Sequence, residues 1–333
     1  MNAILEILYV PFGFLFRILY EFVNNYGLAL LIFSLFFKVI LLPSSIKQQK
    51  ASAKTYRMQP KIKRIREKYQ DYAPNERQQR IQMETNELYQ REGYSAMAGG
   101  CAPLLLQLPI LYGLYGVIRM PLTHVLNIGK EAVTALTAAV QTVEGAIVSK
   151  NTYYLESAVI SNIQKIADAS PDLVAQYPEA FEKIKNFDFA IFGIDLGAIP
   201  SWDTFKQWGE ATTEAKVLLL IPILSGLTSL LTSVLSQVRQ KKTNPDAQMQ
   251  GMGCMMLSMP LMSLFFTFQF PAGMGMYWIL SNIFAFLQTL ILGHFYAPRK
   301  TVAQLMVNET IERRSYEKAK KAAADREKEE EQN

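Results

Sequence analysis

Apolar residues along this chain gather in five runs: Gly27 to Leu42, Gly99 to Ile118, Val217 to Val238, Met252 to Phe270, and Met274 to Phe295. The segments between them carry most of the charge. A helix needs about 20 mainly apolar residues to cross the hydrocarbon core of a bilayer. The pattern therefore predicts an all-α polytopic membrane protein with five transmembrane helices. The first run is short and borrows Tyr26 and a snorkelling Lys47 to reach both interfaces. The last two are separated only by Pro271, Ala272 and Gly273, a tight helical hairpin, and Gly273 and Gly275 are assigned to its turn.

Between and before these runs the periodicity changes. Residues 3–23 carry Glu6, Pro11, Arg17 and Glu21 among six Phe and Tyr residues, which predicts an amphipathic helix lying in the membrane interface; a further span is the alternative. The N-terminus lacks a basic n-region, so no cleavable signal peptide is expected. Met58, Ile62, Ile65, Tyr69 and Tyr72 form a narrow helical seam. Ala73-Pro74-Asn75 interrupts it, with Asn75 as the expected cap of a second helix bearing Ile81, Thr85 and Leu88. Val133, Leu136, Val140, Val143 and Ile147 place one apolar face on a helix over 132–148, too polar elsewhere to be a crossing. The expected organisation is an interfacial helix 1–24, a first span 25–43, a basic helical hairpin 44–97 and a second span 98–120. A partly helical segment 121–215 follows, then a third span 216–238, a loop 239–251, spans 252–270 and 274–296, and a charged tail 297–333.

Charge orients these pieces. Residues 44–97 hold 12 Lys plus Arg against 6 acids, whereas 121–215 hold 6 Lys against 12 acids. Basic segments beside spans stay in the cytoplasm. The hairpin, the 239–251 loop and the C-terminus are therefore expected inside, and 121–215 outside. The sequence pI near 9.0 does not point to direct nucleic-acid recognition, because the basic residues flank apolar runs. The hairpin suits either a solvated coil without a partner or a docking arm for a ribosome, a targeting factor or an anionic lipid surface. The tail, ending EKEEEQN, is expected to be a frayed helix or disordered. Cys101 and Cys254 lie near the starts of apolar runs and do not suggest a disulfide framework.

One residue breaks the apolar rule. In GLALLIFSLFFKVILL the only charge is Lys38, and no carboxylate lies in any other run to pair with it. A charge near mid-span costs about 2.5–3.5 kcal/mol on insertion scales, so it is normally hidden from lipid in a polar cavity or ion pair. Ser34 stands one turn away on the same face. Ser225, Thr228, Ser229, Thr232, Ser233 and Ser236 share a face of the third span. The fifth offers Tyr277, Trp278, Ser281 and Asn282, and the second Gln107. Helix packing accounts for one hydroxyl stripe; a shared wet groove accounts for all of these together with Lys38. No paired acids, metal-ligand spacing or phosphate loop is present, so neither catalysis nor a cofactor is expected. His124 and His294 lie singly at span ends, where ordinary interfacial roles are expected.

The runs FSLFFKVILLP, MQPKIKRIREKY, GGCAPLLLQLPILYGLY, IPILSGLTS and FPAGMGMYWILSN, in that order, resemble the YidC/Oxa/Alb membrane-protein insertase family across all five spans and the hairpin. The resemblance implies a five-helix core with a groove open to cytoplasm and lipid and closed outside, in a bacterial plasma membrane. It also implies a positive residue in the first span that attracts polar parts of an incoming substrate. Lys38 falls on that position, usually arginine, and Ser34, Gln107, Tyr277 and Trp278 fall in the groove or substrate-contact region. Implied partners are nascent membrane proteins and the lipid bilayer, with the ribosome, signal-recognition machinery and Sec translocon as further candidates. Two features depart from the pattern: lysine lacks the planar fork of arginine, and 121–215 is longer than the usual loop. A transporter or channel using Lys38 as an anion or proton site, and a structural assembly scaffold, remain the alternative functions.

Overall fold

A computed structural model describes residues 2–93, 102–146, 152–243 and 252–331. The chain divides into two compact units. The first comprises residues 1–42, 103–237 and 249–287; the second comprises 43–102, 238–248 and 288–333.

The first unit is built on a buried apolar cluster that includes Phe16, Tyr26, Leu30, Phe33, Leu114, Ile118, Leu196, Ile221, Met274 and Tyr277. Helix α1 (Asn2–Val23) lies along α2 (Tyr26–Ile40). Its Tyr9 and Phe12 rings lie against Gly116 and Gly113 of a helix at Ala102–Arg119, where a Cβ would overlap them. Missing side chains thus set the approach of those two helices. The opposite face of α1 presents Ile7, Val10, Phe14, Ile18 and Phe22 to the surroundings. A helix that is apolar on a buried face and on an exposed one suits lipid contact rather than water.

The 121–215 segment of this unit has its own core, from Leu122, Leu136, Val140, Val159, Ile166, Phe181 and Ile184. The expected amphipathic helix is present at Lys130–Thr142 with Leu136 and Val140 fully buried; Ile147 lies outside the described residues. Short helices follow at Leu155–Ser161, Ile163–Ala169, Pro171–Gln176 and Pro178–Lys185. An antiparallel hairpin then pairs β1 (Ala190–Ile191) with β2 (Ile194–Asp195), a small departure from an all-helical fold. Phe187, Phe189 and Leu196 leave this segment and enter the main cluster, where Phe189 packs on Tyr26 with ring centroids 4.6 Å apart.

Among the described residues, two stretches are by themselves long and apolar enough to cross a membrane, Thr213–Arg239 and Ala272–Phe295. A third is added if Tyr26–Ile40 and Leu42–Lys68, separated by a break at Leu41, count as one interrupted span. Pro43 explains the break, since it has no N–H for the carbonyl four residues back. The helices at Ala102–Arg119 and Met252–Thr267, the remaining expected crossings, have 18 and 16 residues. The glycines assigned to the 271–273 turn have another role. Both lie inside helix Ala272–Phe295 and neither has a positive φ. Gly275 has no room for a Cβ, being pressed against Ile221 and Thr267, so it is a packing glycine.

In the second unit the helices Leu42–Lys68 and Pro74–Arg91 form the expected antiparallel hairpin. Lys68 pairs with Glu84 at 3.0 Å and Lys61 with Glu92, a register that runs the two helices past each other. Met58, Ile62 and Ile65 are buried, while Tyr72 is exposed. The second helix is capped by Ala73, without a side-chain bond, and not by Asn75. Pro74 occupies the first helical position, where its missing N–H is not needed, and this starts the helix earlier than Asn75. The tail forms a helix over Pro298–Glu331.

Candidate functional site

Lys38 projects from the C-terminal half of α2 and is half-buried. Among the described residues it has no hydrogen-bond or ion-pair partner. Ser34, on the same helical face, is 2% exposed and donates its hydroxyl to the Leu30 carbonyl at 2.7 Å. Its polarity is thus spent on its own backbone. Phe37, the preceding residue, stacks on Phe12 and packs on Phe33.

Gln107, Tyr277 and Ser281 come together. Gln107 Nε2 donates to the buried Tyr277 hydroxyl at 2.5 Å, and Ser281 bonds the same hydroxyl. Trp278 is half-buried and meets Phe270 edge-on at 6.0 Å.

The hydroxyl stripe of helix Leu220–Thr243 divides along its length. Ser225 is fully buried and bonds to Ser263 at 2.8 Å and Thr267 at 3.3 Å, both on helix Met252–Thr267. Thr228 and Thr232 turn to helix Ala272–Phe295. Asn282 Nδ2 donates to Thr228 at 3.4 Å, and Thr232 donates to the Asn282 carbonyl at 3.3 Å. Thr228, Thr232 and Ser236 also bond carbonyls of their own helix. Ser229 and Ser233 are half-buried and bond to nothing among the described residues. Four of the six hydroxyls therefore have partners, as packing predicts, and two remain available.

At the N-terminal ends of α2 and of helix Ala272–Phe295 the main cluster is tied to the 188–198 stretch. Asn25, the N-cap of α2, accepts from Leu28 N at 2.8 Å and donates through Nδ2 to Asp188 at 3.0 Å. The backbone N–H groups of Ala272 and Gly273 donate to Ala198 and Leu196, each at 2.8 Å. Two helix starts thus find acceptors in the 188–198 stretch. Phe187, Phe189 and Leu196 fill the space beneath it.

Two arrangements were not legible in the sequence. Glu156, 8% exposed, accepts from both the backbone N–H and the hydroxyl of Thr123, at 3.0 and 2.7 Å. Burial pushes its carboxyl above the ordinary range, against the opposing pull of the Thr123 bonds and the Arg119 charge. Arg239, which the charge pattern places in a loop, is instead helical and donates to the carbonyls of Thr289 and Leu290. Gly293 leaves the room its guanidinium needs. A cation at the C-terminal end of a helix complements its dipole. The described residues hold no cluster of His, Cys, Asp or Glu suited to a metal ion. Cys101 lies outside the described residues.

A family model described as 60Kd inner membrane protein matches residues 18–299. Curated relatives include the "Membrane protein insertase YidC" of Oceanobacillus iheyensis, 27% identical over 271 residues, covering 81% of this chain and 75% of that protein. The "Membrane protein insertase YidC 2" of Listeria innocua is 25% identical over 296 residues, 89% of this chain and 74% of its own length. The "Membrane protein insertase YidC" of Fusobacterium nucleatum is 24% identical over 288 residues, 86% of this chain and 96% of its own length.

Proposed function

The chain belongs to the 60Kd inner membrane protein family, and from that premise we propose that it is a membrane-protein insertase of a bacterial plasma membrane. It acts without bond chemistry, lowering the barrier for a short hydrophilic segment of a nascent protein to cross the bilayer. The observation that carries this reading is Lys38, an ammonium in an apolar helix with no partner among the described residues. In a low-dielectric groove such a charge attracts an acidic segment over several ångströms. Ser229 and Ser233 offer further hydrogen-bonding capacity, and Gln107, Tyr277 and Ser281 a polar wall. The plug of Phe187, Phe189 and Leu196 supports a groove closed on the outside.

In this reading five helices cross: Tyr26–Ile40, Ala102–Arg119, Thr213–Arg239, Met252–Thr267 and Ala272–Phe295. The hairpin and tail lie in the cytoplasm and 121–215 outside. The polar segment loses less solvation in the groove than in lipid, and the substrate's apolar helix leaves sideways into the bilayer. Hydrophobic partitioning drives the step. The membrane potential adds about 2.3 kcal/mol per charge per 100 mV.

The test is depletion of the protein, scored on small membrane proteins with acidic translocated tails, with rescue by wild type, Lys38→Arg or Lys38→Ala. Rescue by the first two and failure of the third at equal protein level is expected. Full rescue by Lys38→Ala would overturn electrostatic capture. In a background lacking Cys101 and Cys254, cysteines at the exposed Lys63 and Lys185, labelled with impermeant reagents, test the orientation; labelling of both from the same side would overturn it.

A further inference from the structure

Residues 187–216 carry four large aromatic side chains that the fold leaves uncovered. Phe192 is 92% exposed, and Trp202, Phe205 and Trp208 are each about half exposed. All four sit beside the ends of helices assigned as spans. Phe192 is the tip of the β1–β2 hairpin, whose Ile191 side chain covers Gly27 in the first turn of α2. Trp202 stacks on Phe268, just past the end of helix Met252–Thr267, with ring centroids 3.7 Å apart; Phe205 adjoins the same ring. Trp208 lies five residues before Thr213, where the apolar stretch Thr213–Arg239 begins, and Lys216 stands over its ring at 5.5 Å.

Phe192 also has a backbone cost. Its φ is 51° and that of Gly193 is 76°. A bulky residue at positive φ is an outlier, and Asn or Asp would suit the first turn position better. A strained, solvent-facing phenylalanine gives the fold nothing by packing.

We propose that Phe192, Trp202, Phe205 and Trp208 form an anchor in the interfacial layer of the bilayer, so that this stretch rests on lipid headgroups and upper acyl chains. The inference rests on the reading of the three helices as spans. Their ends on the 121–215 side must then lie where hydrocarbon meets headgroup, the depth at which tryptophan is enriched and lysine can snorkel to phosphate. The anchor bears on α2, because Asp188 and Ile191 hold the hairpin to its first turn. It thereby fixes the depth of α2 and of Lys38.

The chain's three tryptophans permit a direct test in proteoliposomes. Trp202→Phe with Trp278→Phe leaves Trp208 alone, and Trp208→Phe with Trp278→Phe leaves Trp202. Phe192→Trp in a background with all three native tryptophans changed to Phe reports the hairpin tip. Leu231→Trp in that same background reports the middle of a span. Each anchor reporter is expected to lose roughly half of its emission to phosphatidylcholine brominated near the headgroup end of the acyl chains, as an interfacial indole should. Aqueous iodide should quench it little. Quenching by iodide and not by lipid would overturn the anchor in favour of a water-facing surface. Resistance to both would overturn it in favour of cover by protein, such as a second copy of the chain. Deep-lipid quenching of the Leu231→Trp reporter isolates those failures from failure of the spanning reading, which its loss would indicate.

Discussion

Glu156 and Lys38 are both drawn away from bulk water, and the fold treats them in opposite ways. Glu156, in the 121–215 segment, is clamped by the N–H and hydroxyl of Thr123. Lys38, in α2, is left without a described partner. A buried charge that is hydrogen-bonded on its own fold is structure; its removal leaves donors unpaired and costs stability. A buried charge without such bonds costs stability while it is present. It persists where something outside the fold uses it. The difference predicts that mutating the two residues will separate activity from stability.

The largest effect is expected at Lys38. Lys38→Glu should slow insertion of substrates with acidic translocated segments by roughly tenfold or more, the rate equivalent of about 1.4 kcal/mol. Lys38→Ala should fall between Glu and wild type, and Lys38→Arg should retain activity, since charge and not fork geometry is used. Pulse-labelling of such substrates measures it. Protein level should hold or rise in Lys38→Ala, because an unpaired charge in the last turn of an apolar helix has been removed. A Lys38→Ala protein that accumulates poorly would mean the ammonium is structural after all, and the contrast with Glu156 would collapse.

Glu156→Ala should do the reverse. The Thr123 N–H and hydroxyl lose their shared acceptor, at a cost of about 1–3 kcal/mol. Thermal unfolding should shift down accordingly, while insertion per folded molecule stays at the wild-type rate. Loss of rate in the surviving folded protein would place Glu156 in the substrate path instead.

The same distinction operates within the hydroxyl stripe. Ser225→Ala should cost about 0.6 kcal/mol, the average for hydrogen bonds between membrane helices, because Ser263 and Thr267 lose a partner. Ser233→Ala should cost nothing measurable. In a background lacking Cys101 and Cys254, cysteines replacing Ser229 and Ser233 should react with small aqueous thiol reagents, and one replacing Ser225 should not. Equal protection at all three would mean that the whole stripe is dry packing.

This stripe also shows what a sequence can reveal. Its periodicity put six hydroxyls on one helical face, and the helix is there. Which neighbour each hydroxyl meets depends on helix pairing, and pairing in this unit is set by contacts such as Gly275 against Ile221 and Thr267. No local pattern encodes those. The hairpin at 44–97 was legible because its seam and its charges repeat at helical spacing. The strands Ala190–Ile191 and Ile194–Asp195 were not, because two residues make no alternation. Lys38 was visible as the one charge in an apolar run. Glu156 was not, being one acid among twelve in its segment.

The smallest expected effect is a pH dependence of the 121–215 segment. Burial raises the Glu156 carboxyl above its unfolded value, so the folded segment binds more protons than the unfolded one in the window between them. Glu156 therefore favours the folded segment most below the ordinary carboxylate range, and that contribution falls away as pH rises through the raised value. The Thr123 bonds and Arg119 oppose the shift and keep it small. Hydrogen-exchange protection of the Thr123 amide, corrected for the intrinsic rate, should decline slightly as pH climbs from the ordinary carboxylate range toward neutrality. In Glu156→Gln, which cannot ionise, that decline should vanish. A decline of equal size in Glu156→Gln would assign the pH dependence to another group. Protection rising with pH in wild type would mean that the hydrogen bonds outweigh burial, and that the clamp holds a carboxylate of lowered pKa.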